Sequence, residues 1–271
     1  MLQLYLAISA LLGIASCAPA KAISCQPMAS MDPQFTDYTL ADGLTLLPIQ
    51  NGLTKPRHMV VDNMGNLLIV DSGRGVVVLT EAGDCWEQRL LISDPALNTG
   101  IQLTSDNVLL ASSDDVLYRY SYDSHELTVS QPTTLVQGMT NTGHMTRTLQ
   151  LDTAEEYVYI SRGSGPNIDP LALDIETGSA QIRRFRLSDP SLRTWMDGEL
   201  VAWGLRNSVG IAMDSRNPQL LLQLENSADN IVSPTWGNVV DDNPAEELNM
   251  IDLNDMGRNY GKFPLHQTAC S

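Results

Sequence analysis

The sequence predicts an all-β protein, a β-propeller in which four blades are recognisable. Three observations carry this reading. A unit recurs four times: an apolar strand, a turn, a second strand, a short polar loop and a third strand. Period-two alternation dominates each copy, and no stretch of helical period persists. With Val61, Leu103, Leu151 and Met213 taken as equivalent, the copies fall 42, 48 and 62 residues apart. Repeats of roughly 40–50 residues with three or four short strands each are the mark of propeller blades.

The chain opens on an apolar run, 2–13, that is too short to span a bilayer and right for a signal-peptide core. Ala20-Lys21-Ala22 fits a small-residue cleavage site, so residues 1–22 read as a signal peptide and the expected location is extracellular. Ile14-Ala15-Ser16-Cys17 also resembles a bacterial lipobox, which makes a lipid anchor at Cys17 the alternative. Residues 23–43 have little pattern and read as an N-terminal arm, and 44–271 form the propeller domain. Removal of the leader leaves Cys25, Cys85 and Cys270. In an oxidising compartment the simplest pairing is Cys25 with Cys85, which staples the arm to the first repeat and leaves Cys270 over.

The first blade is read from HMVVD (58–62), NLLIVDS (66–72) and GVVVLTE (75–81), with turns at Asn63-Met64-Gly65 and Glu81-Ala82-Gly83. The second is GIQLT (100–104), NVLLASS (107–113) and VLYRYSYD (116–123). The third is RTLQLD (147–152), YVYISRG (157–163) and QIRRFRL (181–187). The fourth is VGIAMD (209–214), QLLLQLENS (219–227) and ELNMIDL (247–253). The wide last gap is assigned to insertions at about 165–175 and 188–199. The remaining strand of a further blade is expected either outside this sequence or from the arm at 26–49.

Acidic residues outnumber basic ones 32 to 16, and the net charge is −16. Such a field argues against nucleic-acid partners and anionic membrane surfaces. A neutral small molecule meets no general repulsion, whereas an anionic cofactor needs a local basic pocket.

In a propeller the loops at one mouth of the axis converge although they are distant in sequence, and that mouth is the default site. Here they carry Arg57-His58, Asn98-Thr99-Gly100, Asn141-Thr142-Gly143-His144 and Arg206-Asn207-Ser208, facing Asp71-Ser72-Gly73, Ser112-Ser113-Asp114, Ser161-Arg162-Gly163 and Glu225-Asn226-Ser227. Imidazole accepts a proton near neutral pH, and a guanidinium three residues on favours anions. Taken alone, His144 and Arg147 read as solvated loop residues.

Their neighbours change that. HMTRTL (144–149) with YISRGS (159–164), GLRNSVGIA (204–212), and LENSADN (224–230) with NPAEELN (243–249) and NYGKFP (259–264) resemble the soluble quinoprotein sugar dehydrogenases. The fungal pyranose dehydrogenase branch, related to glucose/sorbosone dehydrogenases, is the nearest in pattern. The resemblance implies a six-bladed propeller holding pyrroloquinoline quinone (PQQ) and Ca2+ at one mouth, a sugar substrate and a redox partner protein. It implies His144 as general base, Arg206, Asn207 and Arg147 as cofactor contacts, and carbonyls of Ser227 and Ala228 as calcium ligands, with Asp229 or Glu225 assisting. The family continues into two further blades, so the expectation is a truncated dehydrogenase-like protein, inactive through that loss. The alternatives are a non-catalytic propeller scaffold and a calcium-dependent lactonase-type hydrolase.

Overall fold

The computed structural model describes residues 25–33, 38–226, 228–230, 232–233, 235, 237–238 and 246–260. The leader, Cys17, Ser227 and Cys270 therefore lie outside the described residues. Within them the chain forms four consecutive antiparallel blades. Blade 1 comprises β1 (Pro56–Val61), β2 (Leu67–Asp71), β3 (Gly75–Ala82) and β4 (Cys85–Ser93), in that order. Blade 2 holds β5 (Ile101–Leu103), β6 (Val108–Ser112) and β7 (Leu117–Asp123), with β8 (Thr128–Val129) beside β7 and β9 (Thr133–Gln137) as its own fourth strand. Blade 3 is β10 (Leu149–Leu151), β11 (Tyr157–Arg162) and β12 (Gln181–Arg186), then, past β13 (Arg193–Thr194), β14 (Glu199–Trp203). Blade 4 is β15 (Ser208–Asp214) and β16 (Asn217–Glu225), then β19 (Glu247–Asp252), after a hairpin of β17 (Val232–Ser233) and β18 (Gly237–Asn238). The last strand described is β20 (Arg258–Asn259).

The first strands of successive blades, β1, β5, β10 and β15, contact one another in chain order, so they stand nearest the axis. Alternation then sends the two faces of each blade to its two neighbours. Leu68, Val70, Val76 and Val78 of blade 1 meet Leu109, Ala111, Tyr120 and Tyr122 of blade 2 in one buried cluster. Leu110, Leu117 and Val136 meet Leu149, Val158 and Ile160 between blades 2 and 3. Tyr159, Ile182 and Val201 meet Ile211, Leu221 and Ile251 between blades 3 and 4. The other face of blade 4 is apolar and open: Leu224, paired with Leu248, and Met250 are 50%, 66% and 65% exposed.

Two sequence expectations need correction. The stretch 188–199 is not a plain insertion, because it supplies β13 and leads into the fourth strand of blade 3. The arm does not complete a blade: none of its described residues is in a strand. Ile49 and Leu53 instead cover Ile69, Val77 and Leu79 of blade 1, burying apolar surface without pairing an edge.

The arm is tied where expected. Cys25 and Cys85 form a disulfide with their Cα atoms 5.7 Å apart, closing a loop of sequence separation 60. The Met28 N–H donates to Asp84 O beside it. Cross-linking removes entropy from the unfolded chain, so Cys85→Ser lowers stability by about 2–4 kcal/mol. Denaturant unfolding of oxidised wild type against the variant reads this directly, and equal midpoints would show that the staple contributes nothing.

Candidate active site

Two loops of blade 3 build the centre of the mouth. Residues 140–146 run from β9 to β10 without regular structure, and residues 163–169 follow β11. They are pressed together at two glycines. A Cβ on Gly143 would stand 1.4 Å from Gly165 O, and one on Gly163 would stand 2.7 Å from His144 Cβ. Only hydrogen fits at either position. The second loop is fixed from beneath by buried Asp169, whose carboxylate accepts from Gly165 N at 2.9 Å, Leu171 N at 3.0 Å and Ser179 Oγ at 2.6 Å.

His144 is half-buried on the first loop. Its Nδ1 lies 3.0 Å from Ser164 O and 3.0 Å from Ser164 Oγ. A carbonyl only accepts, so Nδ1 carries the proton and Nε2 is left as the basic nitrogen. Burial, then the positive charge of Arg206, push the imidazole pKa below its ordinary 6.5. Ser164 and Asp229 pull the other way, and Arg147 adds to the lowering. The neutral form therefore persists below pH 6.5.

Stability follows the same sign for this group. Between the folded value and 6.5 the unfolded chain binds more protons, so His144 costs stability as pH falls through that window, and no more below it. Glu225 opposes it. Burial pushes that carboxyl from 4.5 up to about 7, so its contribution is present at low pH and is lost as pH rises through that interval. The two slopes offset, so the expected midpoint below 6.5 is to be read on the His144 ring by NMR titration. A midpoint at or above 6.5 would contradict the geometry.

Arg206 opens the approach to blade 4 and is 2% exposed. Its Nε donates to Asn167 O at 3.1 Å, Nη1 to Asn226 O at 3.2 Å, and Nη2 to Asn167 Oδ1 at 2.6 Å and Asp229 Oδ2 at 3.2 Å. Of these acceptors only the Asp229 carboxylate is charged, and its side chain is largely exposed. Asn207 is buried beside it, with Nδ2 3.4 Å from Asn226 Oδ1. Its Oδ1 has no hydrogen-bond partner among the described residues, and a Cβ on Gly163 would come within 3.0 Å of it. Asn98 also has a buried, unpartnered Oδ1, while its Nδ2 donates to Met145 O at 3.2 Å. Unpaired buried acceptors are rare, and a water, an ion or a ligand donor ordinarily satisfies them.

The sequence expectations divide at this point. The structure brings His144, Arg206 and Asn207 to one mouth. Arg147 is elsewhere: it is 0% exposed, and its guanidinium donates to His144 O, Thr146 O and Met139 O at 2.8, 2.8 and 2.6 Å. Both of its Nη atoms are engaged by backbone carbonyls beneath the surface, and its buried Nε has no hydrogen-bond partner among the described residues, so Arg147 stands below the mouth rather than in it. Ala228 is buried in the blade 4 loop, and Ser227 is outside the described residues. Among the described residues no three His, Cys, Asp or Glu side chains converge as a metal cluster. Glu225 Oε1 accepts from Arg206 N at 3.2 Å, a contact between strand ends rather than a free ligand.

Ser164 and Asn167 are the residues that sequence reasoning did not single out. Asn167 joins the two blades, accepting from Asp229 N at 2.8 Å and donating to Asp229 O at 2.7 Å. The only signal for them is the polar character of the loop that follows β11.

One mouth of the propeller thus gathers a half-buried histidine with a lowered pKa and a buried arginine. The chain belongs to the TrAA12-like family, whose model matches residues 38–267. It is 38% identical over 240 residues to a pyrroloquinoline quinone-dependent sugar dehydrogenase of Hypocrea jecorina, covering 82% of this chain and 55% of that protein. The chain thus spans about half the length of this relative. Among solved structures it resembles the Trichoderma reesei carbohydrate-active enzyme of family AA12, with TM-score 0.77 and 36% identity over 85% of this chain and 62% of that one. It also resembles the holo form of the pyranose dehydrogenase PQQ domain from Coprinopsis cinerea, with TM-score 0.76 and 32% identity over 83% and 58% of the two chains.

Proposed function

We propose that the chain is a secreted oxidoreductase of the PQQ-dependent pyranose or aldose dehydrogenase kind. The observation that carries the reading is His144, its Nδ1 proton held by Ser164 O, beside Arg206 and the unpartnered Oδ1 of Asn207. The donor set fits the quinone. An arginine fork suits its carboxylates, the exposed Asp229 carboxylate is the partner that a stronger anion displaces, and Asn207 Oδ1 accepts a hydrogen bond now missing. Calcium in this reading would be held by the main-chain oxygens of Ala228 and of Ser227, the latter outside the described residues, as suits a hard cation.

When bound, the quinone would supply the acceptor for the hydride lost from the sugar carbon. His144 Nε2 takes the proton of the sugar hydroxyl undergoing oxidation, and Ser164 O keeps the ring in the tautomer that allows it. Arg206 neutralises negative charge at the mouth, and its near-complete burial makes that charge more effective than it would be in water. A redox partner protein is proposed as the final electron acceptor.

The 271-residue chain alone is proposed to bind the quinone weakly, because the open face at Leu224, Leu248 and Met250 leaves one flank of the site to water. The test is addition of PQQ and Ca2+ to the purified chain, followed by the bound-quinone spectrum and sugar-dependent dye reduction. The same assay is run on a version continued over the further length that the relatives carry. Quinone binding and turnover in neither form would remove the dehydrogenase reading. Strong turnover by the 271-residue chain would remove only the claim of weak binding.

A further inference from the structure

The loop that carries His144 has no strand, helix or apolar core of its own. What it encloses is a guanidinium. Arg147 folds back under residues 139–146 and is wholly buried. Its Nη2 takes Met139 O at the start of the loop, and its Nη1 takes His144 O and Thr146 O at the end. Arg162 braces the same start from the other side, with Nε on Met139 O at 2.9 Å and Nη2 on Thr140 O at 2.9 Å. Two cations thus share one carbonyl. Neither is ion-paired to a carboxylate among the described residues, although Asp114 and Asp115 act on Arg147 from a distance, as Asp169 acts on Arg162.

That arrangement is costly. A buried charge without a counter-ion is strongly penalised, and here burial, with the nearby Arg162 charge, lowers the Arg147 pKa to about 9. A core filled for stability alone would place an apolar side chain here, or pair the cation with a carboxylate. Carbonyl acceptors hold the guanidinium without cancelling its charge.

We propose that Arg147 is the positioning residue of the site, fixing the main chain of His144 at the mouth and imposing an uncancelled positive charge behind the ring. The proposal deepens the dehydrogenase reading and rests on it for the role of His144. The charged groups acting on that ring are Arg206, Asp229 and Arg147 itself. Removal of Arg147 therefore leaves one cation and one anion, and it frees the carbonyl that pins the loop.

The test uses the 271-residue chain without quinone or sugar. The His144 ring is titrated by NMR, assigned with His144→Gln, and exchange of its amide, which donates to Ser164 O at 3.2 Å, is followed in deuterated water. Arg147→Met should raise the His144 midpoint above that of wild type. Arg147→Lys keeps the charge but cannot span both ends of the loop, so the midpoint should stay low while the amide exchanges about tenfold faster. Arg162→Met loses a partly buried guanidinium that braces Met139 O and Thr140 O but leaves the clamp on His144 O, and its midpoint should stay with wild type. Wild-type titration and exchange in folded Arg147→Met would overturn the proposal. So would an equal rise in Arg162→Met, which would make the effect one of general loosening. If Arg147→Met does not fold, Arg147→Lys decides, and unchanged amide exchange there rejects the clamp. A protein that behaves as expected here yet neither binds quinone nor oxidises sugar keeps the positioning role and loses the dehydrogenase reading.

Discussion

Replacing His144 with alanine, in a version continued over the length that the relatives carry, is expected to lower sugar-dependent dye reduction by about 10²–10⁴-fold, the range that general bases contribute. The quinone should stay bound. The imidazole is held by Ser164 and is not among the acceptors that satisfy Arg206, so its loss leaves the arginine network unbroken. Gly163 is already crowded against the His144 Cβ, which alanine retains, so the loop has no reason to collapse. Quinone affinity and turnover should therefore separate. A variant that loses both together would place His144 in cofactor binding rather than proton transfer, and one that keeps turnover would remove it from the chemistry.

The second large effect is steric and needs no ligand. Gly143→Ala places a methyl group 1.4 Å from Gly165 O, where no rotamer offers relief because the obstacle is main chain. One of the two loops must move. Gly165 cannot retreat easily, since its N–H is held by buried Asp169. The expected cost is about 3 kcal/mol, at the upper end of ordinary substitutions, with displacement of His144 from Ser164. Chemical denaturation measures the first and the His144 ring shift the second. Gly65→Ala is the comparison: that glycine has a positive φ of 85° but nothing within 4 Å of a Cβ, so it reports backbone strain without a clash. Equal losses in the two variants would show that loop packing at Gly143 is less tight than described.

The inner strands were legible in the sequence because each is short, apolar and closed by a turn, as NLLIVDS and NVLLASS show. The fourth strands were not. Cys85–Ser93 mixes Glu87, Gln88 and Arg89 into its run because an outer strand covers only one face, so its pattern resembles a polar loop. Thr133–Gln137 and Glu199–Trp203 are short and follow turns without a repeated spacing. At the site, resemblance located His144, Arg206 and Asn207, all of which stand together at the mouth. It grouped Arg147 with them, because an arginine three residues from a histidine reads the same whether its fork faces a ligand or, as here, its own backbone. The clip at Asn167 was out of reach for another reason. Its partner, Asp229, is 62 residues away, and only the meeting of blades 3 and 4 brings them together.

Two short strands sit in the sheet of the blade before their own. β13, from blade 3, pairs in parallel with β9 of blade 2 through Val136 and Gln137. β20, following blade 4, pairs in parallel with β14 of blade 3, and Gly257 N, Tyr260 N and the Trp203 indole fasten the same junction. Repeat arrays ordinarily lose their units one at a time, since each unit touches only its neighbours. Here later sequence is threaded into earlier sheets, so blade 3 cannot open without stripping an edge from blade 2, nor can the end of blade 4 detach without stripping one from blade 3. Among the described residues blade 1 receives no such strand, and it is held by its shared core and the arm. The molecule should therefore come apart as two cooperative units, blade 1 and a linked trio. The trio holds His144, Arg206 and Asn207, so the chemistry resides in the part of the chain that opens all at once or not at all.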